Sequence, residues 1–348
     1  MNSTLVSKPR VAVVGCGAWG QNLVRNFLAL DVLGLVCDTV PDALRAASKI
    51  APQTEAADSI DTVFSRKDIQ AVALATPAQT HAALAQRALA AGKDVFVEKP
   101  MTVSASEAED LVTSAAKLGR ILMVGHILLH APIMRKVKEL VDAGEIGRIQ
   151  HIAVKRAKQG KVRAHENVMW SFACHDIAAV LFLLEKEAPV AMQAIGRSFV
   201  QPSIEDDTHL HLDFGDGVSA HIHSSWYWPD NERHYVVLGD QSWLKVDEVA
   251  GKITVHRKGI KRDLSNLDNG SFDVSFEATP PLLAECRHFL ECIANRTSPR
   301  SDGRNGLNVV RILEQATRCL HQGMRPAVSS AQRLPGPSAL GSEPAHLV

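Results

Sequence analysis

The segment from Val11 to Gly20 (VAVVGCGAWG) constrains the fold of this chain more than any other. Four consecutive apolar residues, Val11–Val14, read as a strand buried on both faces, and the chain from Gln21 onward reads as a helix. Between them lie Gly15, Gly17 and Gly20 at G-x-G-x-x-G spacing, with Ala18 and Trp19 inside the loop. Glycines there let the backbone turn tightly and bring N–H groups against a pyrophosphate, while the helix N-terminus adds partial positive charge. Asp38 ends the next apolar run, 18 residues past Gly20, where an acidic residue accepts hydrogen bonds from ribose hydroxyls. Its charge would repel a 2′-phosphate, and Thr39, Val40 and Pro41 bring no cation to offset it. NAD is therefore expected over NADP.

The same pattern continues to about residue 125. Strand-like runs at Leu33–Cys37, Ala71–Ala75, Asp94–Val97 and Ile121–Val124 alternate with amphipathic stretches at Gln79–Ala91 and Ser104–Leu118. Gly92 and Gly119 stand where a helix-ending glycine belongs. This alternation predicts a Rossmann-type, doubly wound parallel sheet over residues 1–126. Beyond it the pattern changes to helices at Pro132–Ala143 and about Cys174–Leu184, at least five strand-like runs between Val190 and His256, and helices at Pro281–Ala294 and Gly306–His321. An α+β domain with a mostly antiparallel open sheet is expected over 127–327. The Ser-, Pro- and Gly-rich tail, 328–348, is expected to be disordered.

Composition narrows the class. The chain has 348 residues, enough for two domains, and its 38 basic and 38 acidic residues cancel. A neutral chain has no overall electrostatic reason to bind nucleic acid or an anionic membrane. The six cysteines include no C-x-x-C pair and are expected to be reduced thiols. The first ten residues lack the apolar stretch of a signal peptide, and the longest apolar run, Ile177–Leu184, falls far short of the roughly 20 residues that span a bilayer. A soluble, cytoplasmic protein is expected.

Thr76-Pro77, His81 and Glu98-Lys99-Pro100 sit at or just past strand ends, where ligands lie in a doubly wound sheet. Together with the glycine loop, Gly125-His126, the 144–147 turn (GEIG), His175-Asp176 and the 303–307 segment (GRNGL), they resemble the Gfo/Idh/MocA family of sugar and polyol dehydrogenases over nearly the whole chain. The resemblance implies NAD-dependent oxidation of a secondary alcohol, with Lys99 beside the nicotinamide and on a substrate hydroxyl. It implies a catalytic histidine on a helix of the second domain, which is His175, and a Lys99–Pro100 bond that is often cis. Thr76, Pro77, His81, Glu98 and His126 join the expected cofactor residues. The family usually has aspartate four residues before the histidine. Here that position is Ser171, which leaves the group that orients His175 open.

More narrowly, Asn167 to Asp176 (NVMWSFACHD) resembles the family's subgroup that oxidises C3 of UDP-N-acetylglucosaminuronate in lipopolysaccharide O-antigen biosynthesis. The segment 155–163 (KRAKQGKVR) carries five cations and no acid. A diphosphate and a uronate carboxylate call for such partners. Arg156, Lys161, Arg163, Asn167, Trp170 and Ser171 are thus expected at the substrate, with Lys99 and His175. An inositol or free-sugar dehydrogenase and a non-catalytic sugar sensor of the same fold remain open alternatives. A solvated basic loop is the plainer reading of 155–163. Finally, His209, His211, His221 and His223 flank a glycine turn and share one face if the turn has three residues. That face is expected to be an oligomer contact, and no metal is expected.

Overall fold

The computed structural model describes residues 8–322. The tail assigned to 328–348 lies outside them. Six strands, β1 (Val11–Val14), β2 (Leu33–Cys37), β3 (Glu55–Ala57), β4 (Ala71–Leu74), β5 (Asp94–Val97) and β6 (Leu122–Val124), form one sheet in the order 3-2-1-4-5-6. Every pair in it is parallel. Helices α1 (Gly20–Ala29), α2 (Pro41–Ile50), α3 (Ile60–Ser65), α4 (Ala78–Ala90) and α5 (Ala105–Leu118) connect the strands. Strands β1, β4 and β5 are buried throughout, which is why they read as unbroken apolar runs. The Ser104 hydroxyl caps α5 by accepting from the Glu107 N–H at 3.2 Å, and Gly119 ends that helix in the left-handed region at φ 61°.

The chain then forms α6 (Pro132–Asp142), the long strand β7 (Ile149–Ala157) and α7 (Cys174–Leu184). A single π-helical turn over Met169–Ala173, not expected from the sequence, leads into α7. Such turns recur at functional sites. Seven further strands follow: β8 (Ala191–Arg197), β9 (Asp207–Asp213), β10 (Ser219–Ser225), β11 (Glu232–Gly239), β12 (Trp243–Asp247), β13 (Lys252–Ile260) and β14 (Asn266–Val274). With β7 they make an eight-stranded sheet ordered 14-13-12-11-7-10-9-8, in which only β7 and β10 run parallel. One face packs on α6, α7 and α9 (Gly303–Gln322) around a core that includes Ile177, Leu181, Leu212, Ile222 and Leu313. The other face carries no helix of the described residues.

The break in pattern near residue 126 does not separate the two packing units completely. Helix α8 (Pro281–Asn295) returns to the first sheet, where Cys286, Phe289 and Ile293 join Val11, Val13, Phe27 and Phe96 in one buried cluster. The Ser301 carbonyl accepts from the Val124 N–H at 2.8 Å, so the C-terminal segment also edges that sheet. A doubly wound sheet needs both faces covered, and the chain supplies part of the cover from 160 residues downstream of β6. All six cysteines are free thiols. Among the described residues no helix is long and apolar enough to cross a membrane.

Candidate active site

The strand order of the first sheet reverses between β1 and β4, and the loops after these two strands face each other across the switch point. Gly15 has φ 89°, and a Cβ there would meet the Ala75 carbonyl carbon at 2.6 Å. A Cβ on Gly20 would meet the Gly15 carbonyl oxygen at 1.8 Å. These two glycines are required by backbone packing. Gly17, by contrast, has nothing within 4 Å of its Cβ position. Helix α1 starts at Gly20 with no side-chain cap and no acid in its first turn. The outcome is an open, electropositive cradle for an anion. Asp38 closes its side, accepting from the Cys16 N–H at 2.6 Å and the Val40 N–H at 2.8 Å.

Beyond the cradle lies a cavity of about 440 Å³, bordered by Trp19, Thr76, Glu98, Lys99, Ser171 and His175 among others. The Lys99–Pro100 peptide is cis. The Lys99 ammonium crosses between the sheets and donates to the Ser171 carbonyl at 3.0 Å. Residues 76 positions apart, Lys99 and His175, thus border one space. Burial and the nearby Lys99 ammonium hold the His175 imidazole well below its ordinary pKa. The ring therefore stays neutral at physiological pH. Its Nδ1 is buried without a hydrogen-bond partner, so Ser171 does not take the place of the absent aspartate.

What holds His175 is the residue after it. The Asp176 carboxylate is fully buried and receives Arg156 through Nε at 2.9 Å and Nη2 at 2.7 Å. Arg156 also meets Glu248 at 2.8 Å, and the Tyr235 hydroxyl donates to Asp176. This cluster ties the first turn of α7 to β7, β11 and the turn after β12. The Arg156 guanidinium is committed to two carboxylates, although the residue also borders a neighbouring cavity that His175 lines.

Other expected site residues are likewise spent on structure. His81 accepts or donates at both ring nitrogens, to the Pro100 carbonyl at 2.9 Å and the Thr76 carbonyl at 2.8 Å, and so braces the cavity wall. Asn167 bonds Glu205 at 2.8 Å and accepts from the Trp170 N–H, and the Trp170 indole donates to Thr317 on α9 at 3.0 Å. Neither borders the cavity. Lys161 is exposed and does not border this cavity, whereas Arg163 does reach the rim, opposite Glu166. His126 is fully buried beside Lys99 with both nitrogens unpartnered, and burial pushes its pKa down to about 3.

Glu98 accepts from the Trp19 indole and lies so close to Gly125 that a Cβ there would meet its Oε2 at 2.9 Å. Burial pushes its carboxyl up to about 7. Behind it on α8, Glu285 is buried with neither oxygen partnered, and burial with the nearby Glu98 carries it well above the usual carboxylate range. This carboxyl pair had no signal in the sequence.

A second cavity of about 370 Å³ shares Ile127, Phe172 and His175 with the first. It presents Lys158 and Arg233, which have no carboxylate partner among the described residues, beside the Arg156–Glu248 pair, which also lines it. Lys158 is held below its ordinary pKa by burial and by Arg233 and Arg156. Arg233 stands opposite Arg156 in the register of β11 on β7, a juxtaposition that only strand pairing reveals.

The fold and cleft are those of a nicotinamide-dependent oxidoreductase, and comparison with known proteins names the family. Residues 9–126 match the oxidoreductase family with NAD-binding Rossmann fold, and 134–245 match the GFO/IDH/MocA C-terminal domain. The chain belongs to this family and is an NAD-dependent dehydrogenase. It is 30% identical to a dTDP-3,4-didehydro-2,6-dideoxy-alpha-D-glucose 3-reductase of Streptomyces violaceoruber, over 88% of this chain and 92% of that one. It is 26% identical to the UDP-N-acetylglucosamine 3-dehydrogenase of Acidithiobacillus ferrooxidans, over 86% of this chain and 94% of that one. The fold also matches the WlbA dehydrogenase of Bordetella pertussis, solved with NADH and UDP-GlcNAcA, with a TM-score of 0.75, 22% identity, and coverage of 91% and 98%. Coverage varies among relatives: the chain spans 58% of the length of a carboxy-chloro-dihydroxycyclohexadiene dehydrogenase of Comamonas testosteroni, at 28% identity over 63% of this chain.

Proposed function

We propose that this dehydrogenase oxidises the C3 hydroxyl of a UDP-linked N-acetylglucosamine-type sugar, with the uronate form as the preferred substrate. The observation that carries the reading is the second cavity, where Lys158 and Arg233, without carboxylate partners among the described residues, border one space with His175 and with the Arg156–Glu248 pair. A sugar hydroxyl at His175 would leave the rest of a nucleotide sugar to run along a cation-bearing channel. Relatives that act on UDP- and dTDP-sugars support the reading, and their low identity keeps it a proposal. An O-antigen role rests on the sequence resemblance alone, and a cytoplasmic location on the cysteine pattern and the lack of a signal-like or membrane-length apolar run.

In this mechanism the loop of Gly15, Gly17, Ala18, Trp19 and Gly20 would hold the pyrophosphate, and Asp38 would accept from the ribose hydroxyls. Thr76, Glu98 and Lys99, which border the cavity, would lie at the nicotinamide end, with Pro77, His81 and His126 supporting them. Bound NAD supplies the hydride acceptor. The neutral His175 imidazole takes the proton of the reacting hydroxyl. The Lys99 ammonium turns from the Ser171 carbonyl to the same oxygen and stabilises its developing negative charge.

The test is NADH formation with UDP-N-acetylglucosaminuronate, UDP-N-acetylglucosamine, myo-inositol and glucose. The UDP-sugars should be oxidised with far higher kcat/KM, and Lys158→Met with Arg233→Met should raise KM for them with little change in kcat. Equal or better turnover of inositol or glucose would contradict the substrate class.

A further inference from the structure

The uncovered face of the second sheet carries a ladder of imidazoles. Phe214 and Val218 close a three-residue turn, and the register pairs His211 with His221 and His209 with His223 across β9 and β10. Leu210, Leu212, Ala220 and Ile222 point into the core, so all four histidines share the outer face, as alternation requires. The two pairs then differ. His211 and His221 sit with ring centroids 4.6 Å apart at a tilt of 52°, and His151 adds its edge at 4.7 Å. His209 and His223 lie parallel, with centroids 4.1 Å apart and planes within 9°. Only the latter pair shares a carboxylate: Asp207 meets His223 Nε2 at 2.9 Å and His209 Nε2 at 3.4 Å.

We propose that Asp207, His209 and His223 form a binding site for a borderline transition-metal dication, zinc above all, on the open face of the sheet. One ligand atom from each of the three lies within 4.8 Å of the others. In tetrahedral coordination with bonds of about 2.1 Å, ligand atoms stand roughly 3.4 Å apart, so the distances are close to those of a site, and the two stacked rings must turn toward each other to bring both lone pairs onto one ion. Two imidazoles and one carboxylate select zinc, copper or nickel over calcium and magnesium, which prefer all-oxygen shells. Paired strands fix the spacing of the two backbones, so the ion has only side-chain torsions to order.

The surroundings add the outer support that metal sites use. The Trp228 ring packs edge-on against His223 at 5.3 Å, and its indole donates to Glu232 at 2.8 Å. Lys155 stands over Trp228 at 4.1 Å, with its charge taken up by Glu232 at 2.8 Å. Asp207 and His223 are mostly buried, whereas His209 is about half exposed and leaves a side of the site open to water or an added ligand. This position is on the sheet face opposite the catalytic cleft, so the inference does not depend on the substrate. It departs from the sequence reading of this face, in which these histidines make an oligomer contact and hold no metal.

The experiment uses the full chain, untagged and stripped with chelator, titrated with zinc chloride by calorimetry and with cobalt(II) by visible absorbance. About one zinc per chain should bind, and cobalt should show tetrahedral d–d bands. His209→Gln and His223→Gln should each abolish that equivalent. His211→Gln and His221→Gln, which alter the neighbouring pair, should keep it. Circular dichroism confirms the fold of each variant, and the exposed position of His209 makes its variant the safer of the two. Failure of the wild-type chain to take up zinc overturns the proposal. So does uptake that survives loss of His209 and His223, or that disappears equally with His211.

Discussion

The two walls of the catalytic cleft are assembled in different ways. The wall on the first sheet is made of short loops at consecutive strand ends, so Gly15 to Gly20, Thr76 and Lys99 need only local backbone geometry to reach the cavity. The wall on the second sheet depends on register. Arg156 and Arg233 face each other across β7 and β11 and both border the second cavity, yet one is held between two carboxylates and the other has no carboxylate partner among the described residues. Nearness in sequence predicts placement at the cleft well on the first wall and poorly on the second. The difference teaches that a run of cations is not one feature: Arg156 holds the fold, Lys158 faces the channel, Arg163 reaches the rim and Lys161 is solvated.

The sharpest way to break that comparison is to change two cations of the same run. Arg156→Met leaves Asp176 and Glu248 as uncompensated buried charges and should cost about 3–5 kcal/mol of stability, measured by urea unfolding. Lys161→Met should change stability by no more than about 0.5 kcal/mol. Similar effects of the two would mean that the buried cluster is not what anchors α7.

A smaller effect is expected on the first wall. Asp38 should favour NAD over NADP by about tenfold or more, equivalent to about 1.4 kcal/mol. Asp38→Ala should narrow that gap in titrations followed by fluorescence, though it also frees the Cys16 and Val40 N–H groups and so weakens both cofactors somewhat. Equal affinities in the wild-type chain would remove Asp38 from its assigned role.

The smallest effect concerns the carboxyl pair behind that wall. Burial raises Glu98 from 4.5 to about 7, so the folded chain binds more protons there than the unfolded one. This contribution is fully present below about pH 4.5 and is lost as pH rises through about 7. Glu285, raised further, extends the loss in the same direction. Glu98→Gln should therefore flatten the decline of Tm between pH 5 and 8. An unchanged slope would show that Glu98 is ionised throughout.

Much of the architecture was legible because burial writes itself into the sequence. The doubly buried strands β1, β2, β4 and β5 stand out as apolar runs, and the ends of α5 are marked by Ser104 and Gly119. The edge strand β3 has three residues, two of them exposed, and β14 is almost wholly exposed, so neither carries that signal. The role of α8 in the first core could not be read either, since an amphipathic helix does not say which sheet it covers. At the site, sequence identifies Lys99 and His175 and places them in one cleft only through the family resemblance. It cannot show that the hydrogen bonds of Asn167 and Trp170 are already spent, because Glu205 and Thr317 come from distant segments, or that His81 bridges the Thr76 and Pro100 carbonyls, which only the fold brings to one ring.

The central claim is that the two walls meet at one hydroxyl, with His175 as base and Lys99 as its electrostatic partner. The most direct measurement is kcat for Lys99→Met and His175→Asn with the best substrate of the panel, alongside NAD affinity and a folding check. Each substitution should lower kcat by about 10²–10⁴ while NAD binding stays near the wild-type value. A folded His175→Asn enzyme that turns over at a near-normal rate would contradict the account.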